Sequence, residues 1–136
     1  QIHPGLSAIQ IAAARIGAPL MNDFCIVSLS DLLTPWEKII KRLQGAAIGD
    51  FVTAIYNPKS QGRDWQLESA LRIFRDYRSK DVPVVFARQL GRTNEEVKLY
   101  TLDTLPIQRV DMLTLLIVGN STSKITENYF FNTRGY

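Results

Sequence analysis

Few side chains in this sequence combine the types and spacing that covalent chemistry requires. The single histidine, His3, stands before a proline near the start, and the single cysteine, Cys25, lies inside the apolar run FCIVSL. With no Cys/His cluster, no metal site is expected and His3 reads as solvent-exposed. Cys25 has no neighbouring base and reads as a small buried hydrophobe, not a nucleophile. Glu95 and Glu96 are adjacent, so on a strand they point to opposite faces and cannot cooperate directly. Asp50, Asp103 and Asp111 flank apolar runs, where carboxylates serve turns. Ser28 and Ser30 have no partnered base. No nucleophile–base constellation emerges, and no residue is assigned a catalytic role. A reaction carried by this chain would rest on positioning a reactive cofactor.

Binding chemistry is better represented. Three apolar runs end in polar or small residues, at IYNPKS, FARQLGRTNE and IVGNSTSK. Open α/β sheets hold ligands at such strand ends. Lys59, Arg63, Arg88 and Arg92 cluster in the first two. Solubility accounts for any one of them, but their joint occurrence at two successive strand ends points to an anionic ligand. No glycine-rich phosphate cradle exists: IGAPL and VGNSTSK carry one glycine each, and the second lacks P-loop spacing.

The elements that must position these residues follow from periodicity. SAIQIAAARIG reads as a helix with Ile9, Ala12, Ala13 and Ile16 on one face, Ser7 as N-cap and Gly17 and Pro19 as its stop. FCIVSLS reads as a strand. A second helix is predicted from Thr34 as N-cap, Pro35 as first helical residue and Glu37 at the capping-box position, running to about Ala47 and ending near Gly49. DFVTAIYN is apolar throughout and so central in a sheet. DWQLESALRIFRDYR is amphipathic, with Trp65, Leu67, Leu71, Phe74 and Tyr77 near one face. VPVVFAR, EEVKLYTL and TLLIVGN read as strands, with a short helical or turn piece at DTLPIQRVD. The tail packs down through its aromatic residues, with an edge strand near Lys124 to Thr126. VPVVFAR and EEVKLYTL are too close for a crossover helix. The expected fold is therefore α/β, a mixed parallel and antiparallel sheet flanked by helices.

The 136 residues suffice for one domain, and a hydrophobic fraction of 46% supports a core. No run approaches the roughly 20 apolar residues of a membrane span. A net charge of +3 without basic–aromatic repeats argues against nucleic acid and suits a small polyanion equally well. One cysteine permits no internal disulfide and fits a reducing compartment. No signal peptide is recognisable, and a first residue of Gln leads us to expect a piece of a longer chain.

NDFCIVSLSDLLTPWEKIIKRL, AIYNPKSQGRDWQ, LGRTNEEV and the terminal TRGY resemble the precorrin-3B C17-methyltransferases, S-adenosylmethionine-dependent tetrapyrrole methylases of cobalamin biosynthesis. The likeness runs over nearly the whole chain, and SLSDLLTPWE and YNPKS are specific to the C17 branch. It implies two α/β domains with S-adenosylmethionine between them, of which residues 1–20 would be the linking segment and helix and 21–136 the C-terminal domain. The first domain, with its glycine-rich cofactor loop, would be the missing partner. By the same resemblance Ser7 and Ala8 would meet the methionine end of the cofactor, Tyr56 and Asn57 would line the adenosyl pocket, and Leu90 and Gly119 would offer backbone contacts. Asn57 stands where relatives commonly carry Met. Read from the residues alone, the favoured roles are plainer: Ser7 is an N-cap, Asn57 a pre-proline turn residue and Gly119 a turn glycine. Lys59, Arg63 and Arg88 would hold the carboxylates of a corrin-precursor substrate. Methylation at C17 is accompanied by ring contraction, for which the sequence identifies no acid or base. A cytoplasmic homodimer is implied. The alternative is a dimerisation or interaction module of a larger cobalamin-pathway protein without activity of its own.

Overall fold

The structure is a computed structural model and describes residues 1–134. Gly135 and Tyr136 of the TRGY motif lie outside the described residues. The elements are α1 (Ala8–Ile16), β1 (Gly17–Ala18), β2 (Phe24–Ser28), α2 (Trp36–Ile48), β3 (Val52–Tyr56), α3 (Trp65–Tyr77), β4 (Pro83–Arg88), β5 (Glu96–Thr101), a 3-10 turn (Ile107–Arg109), β6 (Thr114–Val118), β7 (Ser123–Thr126) and β8 (Tyr129–Asn132).

Five strands form the main sheet in the order β2-β3-β6-β4-β5. β2 pairs parallel with β3, while β6 runs antiparallel to both β3 and β4, and β4 antiparallel to β5. The mixed sheet expected from the sequence is present, and β2, β3 and β4 all point the same way. On one face α2 and α3 bury Ile39, Leu43, Leu67, Leu71 and Phe74 against Ile55, Val84, Phe86 and Leu116. On the other face α1 buries Ile9, Ala12 and Ile16 against Val52, Ala54, Val85, Ala87, Leu115 and Ile117. Helix α1 is thus packed into a core, each large side chain contributing about 1.5–3 kcal/mol on full burial.

A second, three-stranded sheet of order β1-β8-β7 was not legible in the sequence beyond the edge strand expected near Lys124. β1 pairs parallel with β8 and sets Gly17 opposite Phe130. Gly17 has φ 136, and a Cβ there would lie 2.5 Å from the Phe130 carbonyl oxygen, so the approach of the two backbones requires glycine.

Helix α2 begins one residue later than expected: Pro35 is its N-cap, its carbonyl accepting the Lys38 and Ile39 amides, and the Thr34 side chain makes no cap. In α3 the buried face is Gln66, Leu67, Ala70, Leu71 and Phe74, whereas Trp65 and Tyr77 stay half-exposed. Trp65 instead packs edge-on against Trp36 at 5.0 Å between ring centres, joining the starts of α2 and α3. Cys25 is half-buried, its Sγ 3.6 Å from Thr53 Oγ1.

At the sheet edge where β3 and β4 begin, the buried Arg78 guanidinium donates to the carbonyls of Ala46, Phe51 and Gly119. It also lies 4.6 Å over the Phe74 ring. Burial lowers its pKa and the nearby Asp50 charge opposes that. The carbonyls and the aromatic face replace the water that a buried cation loses.

Candidate functional site

The opposite edge of the sheet carries the polar strand ends. There β3 and β4 finish, and β6, running the other way, begins. A cleft of about 240 Å³ opens between them. It collects Ala8 from the start of α1, Tyr56 and Asn57 from the end of β3, and Leu90 from the loop after β4. These four positions, up to 82 residues apart in sequence (8 to 90), are among those that the family resemblance assigns to the cofactor. The floor is apolar, from Ala87 and Leu115, and Gln89, Arg92 and Thr114 add polar groups.

Local structure fixes the lining. The Tyr56 hydroxyl accepts the Ile9 amide at 3.1 Å. That amide is one of the donors a helix start leaves without an internal partner, so Tyr56 pins α1 to the end of β3. Asn57 and Gln89, at corresponding ends of β3 and β4, both adopt left-handed backbone, with φ 50 and φ 54. Such conformations in non-glycine residues concentrate where a turn or ligand site demands them. Asn57 departs from the extended geometry its place before Pro58 suggests. Its Nδ2 donates to Ser28 Oγ at 3.0 Å. The Gln89 amide donates to the Leu113 carbonyl at 3.1 Å, which ties the β4 end to the start of β6.

Ser7 is the N-cap residue of α1, and its amide and hydroxyl both donate to Gln10 Oε1, at 3.0 and 3.2 Å. It stands beside the cleft and does not line it. Gly119 is not with the other five positions. Because β6 is antiparallel to β3, its end lies at the far edge of the sheet, where the Gly119 amide donates to the Pro83 carbonyl at 2.8 Å. A Cβ at Gly119 would lie 2.7 Å from Ser123 Oγ and 3.0 Å from Pro83, so close packing accounts for this glycine. What does reach the cleft is the turn that leads into β6 and the start of the strand, Met112, Leu113 and Thr114. Sequence reasoning missed these residues because a strand pattern carries no direction.

The cations divide in two. Arg63 pairs with Asp31 at 3.2 Å, and Asp31 also accepts Gln66 Nε2 at 3.1 Å. The Gln66 bond, against some desolvation and helped by the backbone and Arg63, holds the Asp31 carboxyl below the usual range. Arg88 donates through Nε to Asp111 Oδ2 at 2.8 Å. Burial pushes Asp111 up, but the bonds from Arg88, the Leu113 amide and the Thr114 hydroxyl outweigh it and hold the carboxyl low. Both arginines are therefore engaged by carboxylates of this chain and are still partly exposed. Lys59 and Arg92 make no ion pair among the described residues. Lys59 borders a second cleft of about 300 Å³, shared with Ser60, Gln61 and Asp111, and Met112 lines both clefts.

No carboxylate or histidine lines the first cleft. It can hold and orient a ligand, and its own side chains offer no strong acid–base pair. A larger groove, about 730 Å³, lies away from these strand ends between α1, β5 and the β7–β8 hairpin, and none of the expected site residues borders it. Among the described residues no group of His, Cys, Asp and Glu is placed to hold a metal, and no helix is long and apolar enough to cross a membrane.

Residues 1–106 match the family model of the tetrapyrrole (corrin/porphyrin) methylases. The chain belongs to the tetrapyrrole methylases. Over all of its 136 residues it is 44% identical to a probable cobalt-factor III C(17)-methyltransferase of Salmonella typhimurium, covering 56% of that protein. Over 93% of its length it is 46% identical to a precorrin-3B C(17)-methyltransferase of a Sinorhizobium species, covering 50% of it. The crystal structure of the methyltransferase CobJ superposes with a TM-score of 0.90 at 36% identity, over 96% of this chain and 54% of that one. This tetrapyrrole methylase chain thus spans about half the length of these relatives. The likeness to the C17 branch expected from SLSDLLTPWE and YNPKS is borne out, as is the α/β fold with its mixed sheet.

Proposed function

We propose that this chain is the C-terminal part of an S-adenosylmethionine-dependent methyltransferase that methylates C17 of a precorrin-3B or cobalt-factor III type tetrapyrrole, with ring contraction, in cobalamin biosynthesis. The observation that carries the reading is the convergence of Ala8, Tyr56, Asn57 and Leu90 on one cleft, in a chain similar over its length to C17-methyltransferases. In this reading residues 1–20 link a preceding domain to the α/β domain of 21–136, and the cofactor lies between the two, with Ser7 at its methionine end. Methyl transfer from a sulfonium is a displacement whose leaving group is already activated by its charge. What the protein supplies is alignment of methyl and ring carbon and exclusion of water. That requirement suits a cleft with a tyrosine hydroxyl, an asparagine and apolar walls but no carboxylate. In this reading Lys59, which borders the second cleft without an ion pair among the described residues, holds a carboxylate of the ring, and Arg63 and Arg88 do so with the guanidinium edges left free by Asp31 and Asp111.

The cytoplasm is the compartment we infer. Calorimetric titration with S-adenosylhomocysteine tests the binding half of the proposal, on this chain and on the chain joined to its preceding sequence. Saturable one-to-one binding by the longer protein supports it, and no heat from either protein refutes it. The alternative, an interaction module or homodimer surface, draws on Phe24 and Ile26, which edge strand β2 leaves half-exposed on the face α1 covers elsewhere. A longer protein that dimerises in sedimentation yet ignores the cofactor would favour it.

A further inference from the structure

In LGRTNEEV the proposed reaction uses Leu90 and leaves the acidic residues without a role, and the first of these, Glu95, makes an unusual pair of contacts. Glu95 Oε2 accepts the Gly91 amide at 2.6 Å, and Oε1 accepts Arg15 Nε at 2.7 Å. The Gly91 bond first, then the Arg15 bond, hold this carboxyl below the usual Glu range despite some desolvation. One carboxylate thereby closes the loop of residues 89–95 on itself and fastens it to α1.

That loop and that helix form two walls of the cleft, through Leu90 and Ala8. The loop's own backbone is poorly suited to hold its shape alone. Gln89 and Gly91 both have positive φ, and apart from the Gln89 amide on Leu113 its backbone bonds are the short turns from Arg92 to Gln89 and from Glu95 to Arg92. A charge-assisted bond to an amide two residues from the strained Gln89 fixes which way the Leu90 peptide faces.

We propose that Glu95 is a positioning residue for the cofactor: it sets the height of the Leu90 backbone over the cleft by binding Gly91, with Arg15 holding the carboxylate in place. This rests on the reading of the cleft as an S-adenosylmethionine site, whose lining does not include Glu95 itself. Its partner Arg15 is half-exposed, and an exposed ion pair contributes little by itself, so the amide bond is the decisive contact.

The test uses the longer protein that carries this chain, with S-adenosylhomocysteine as probe. Glu95→Ala should weaken binding about tenfold, the scale of one charge-assisted hydrogen bond. Glu95→Gln keeps an acceptor for Gly91 and should stay within about threefold of the parent. Arg15→Ala should stay within about twofold. In turnover, Glu95→Ala should raise KM for the cofactor and leave kcat at saturation unchanged, and amide exchange at Gly91 should quicken in the Ala variant and not in the Gln variant. Affinity of Glu95→Ala within twofold of the parent overturns the proposal. So does a Gln variant as impaired as the Ala variant, which would mean general loss of structure. A parent protein without affinity for the probe would overturn the cofactor reading and this proposal with it, whereas intact parent binding with an indifferent Glu95 overturns this proposal alone.

Discussion

Asn57 offers a substitution that separates ligand contact from backbone demand. Its left-handed backbone, φ 50, costs an ordinary L-residue about 1–2 kcal/mol, and asparagine less because its side chain bonds locally. Its bond to Ser28 Oγ is exposed and contributes toward the low end of about 0.5–1.5 kcal/mol. Asn57→Gly removes the side chain and keeps the backbone free of strain, against about 0.5–1 kcal/mol of added unfolded-state entropy. Its stability by urea denaturation should therefore change by no more than about 1–2 kcal/mol. Asn57→Leu adds the full left-handed penalty of about 1–2 kcal/mol and, after the entropy cost of glycine is set against it, should be less stable than the Gly variant by up to about 1.5 kcal/mol. If the carboxamide bonds the cofactor, both variants lose about 0.5–1.5 kcal/mol of binding, a factor of roughly 2 to 12 in Kd for S-adenosylhomocysteine by calorimetry. The Gly variant is the decisive one. Parent-like affinity there would refute the ligand role and leave Asn57 as a turn residue, whatever the Leu variant does.

Other substitutions probe the remaining placements. Gly119→Ala should destabilise by about 1–3 kcal/mol through its clash with Ser123 and Pro83, with cofactor affinity unchanged because it stands at the far edge of the sheet. Arg78→Met should destabilise by about 1–3 kcal/mol in urea denaturation, since the Gly119 carbonyl loses its donor while those of Ala46 and Phe51 keep the Phe51 amide and the Thr53 hydroxyl. Lys59→Ala should raise KM for the tetrapyrrole at unchanged melting temperature, whereas Arg88→Ala should also lower the melting temperature slightly because Asp111 loses its ion pair and keeps only the Leu113 and Thr114 bonds. Glu95, Glu96 and Asp111 all have lowered pKa values, so their contribution is complete above the ordinary carboxylate range and is lost as pH falls through the folded values. Thermal melts from pH 7 downward should hold steady until near the ordinary Glu value of 4.5 and then decline.

The parts of the fold that local rules govern were legible. The three helices follow from apolar spacing, and the α1 stop follows from Gly17, whose φ only glycine tolerates easily. The close spacing of β4 and β5 forced an antiparallel pair. What was not legible is what depends on distant partners. The β1–β8 pairing joins residues 17 and 130 through two short segments without a pattern of their own. Trp65 carries an apolar signature but finds Trp36, not the core. At the site, four cleft residues could be named because strand ends and a family likeness pointed to them. Met112 to Thr114 could not, since the direction of β6 is set by the sheet. The carboxylate partners of Arg63 and Arg88 could not be named either, because they lie 32 and 23 residues away in sequence.

The most direct test of the central claim is transfer of labelled methyl from S-adenosylmethionine to a precorrin-3B or cobalt-factor III substrate by the chain joined to its preceding sequence. The account predicts one methyl per tetrapyrrole, placed at C17, with cofactor KM raised in Glu95→Ala. Label that never reaches the tetrapyrrole, or that reaches it with the cleft variants indistinguishable from the parent, would contradict it.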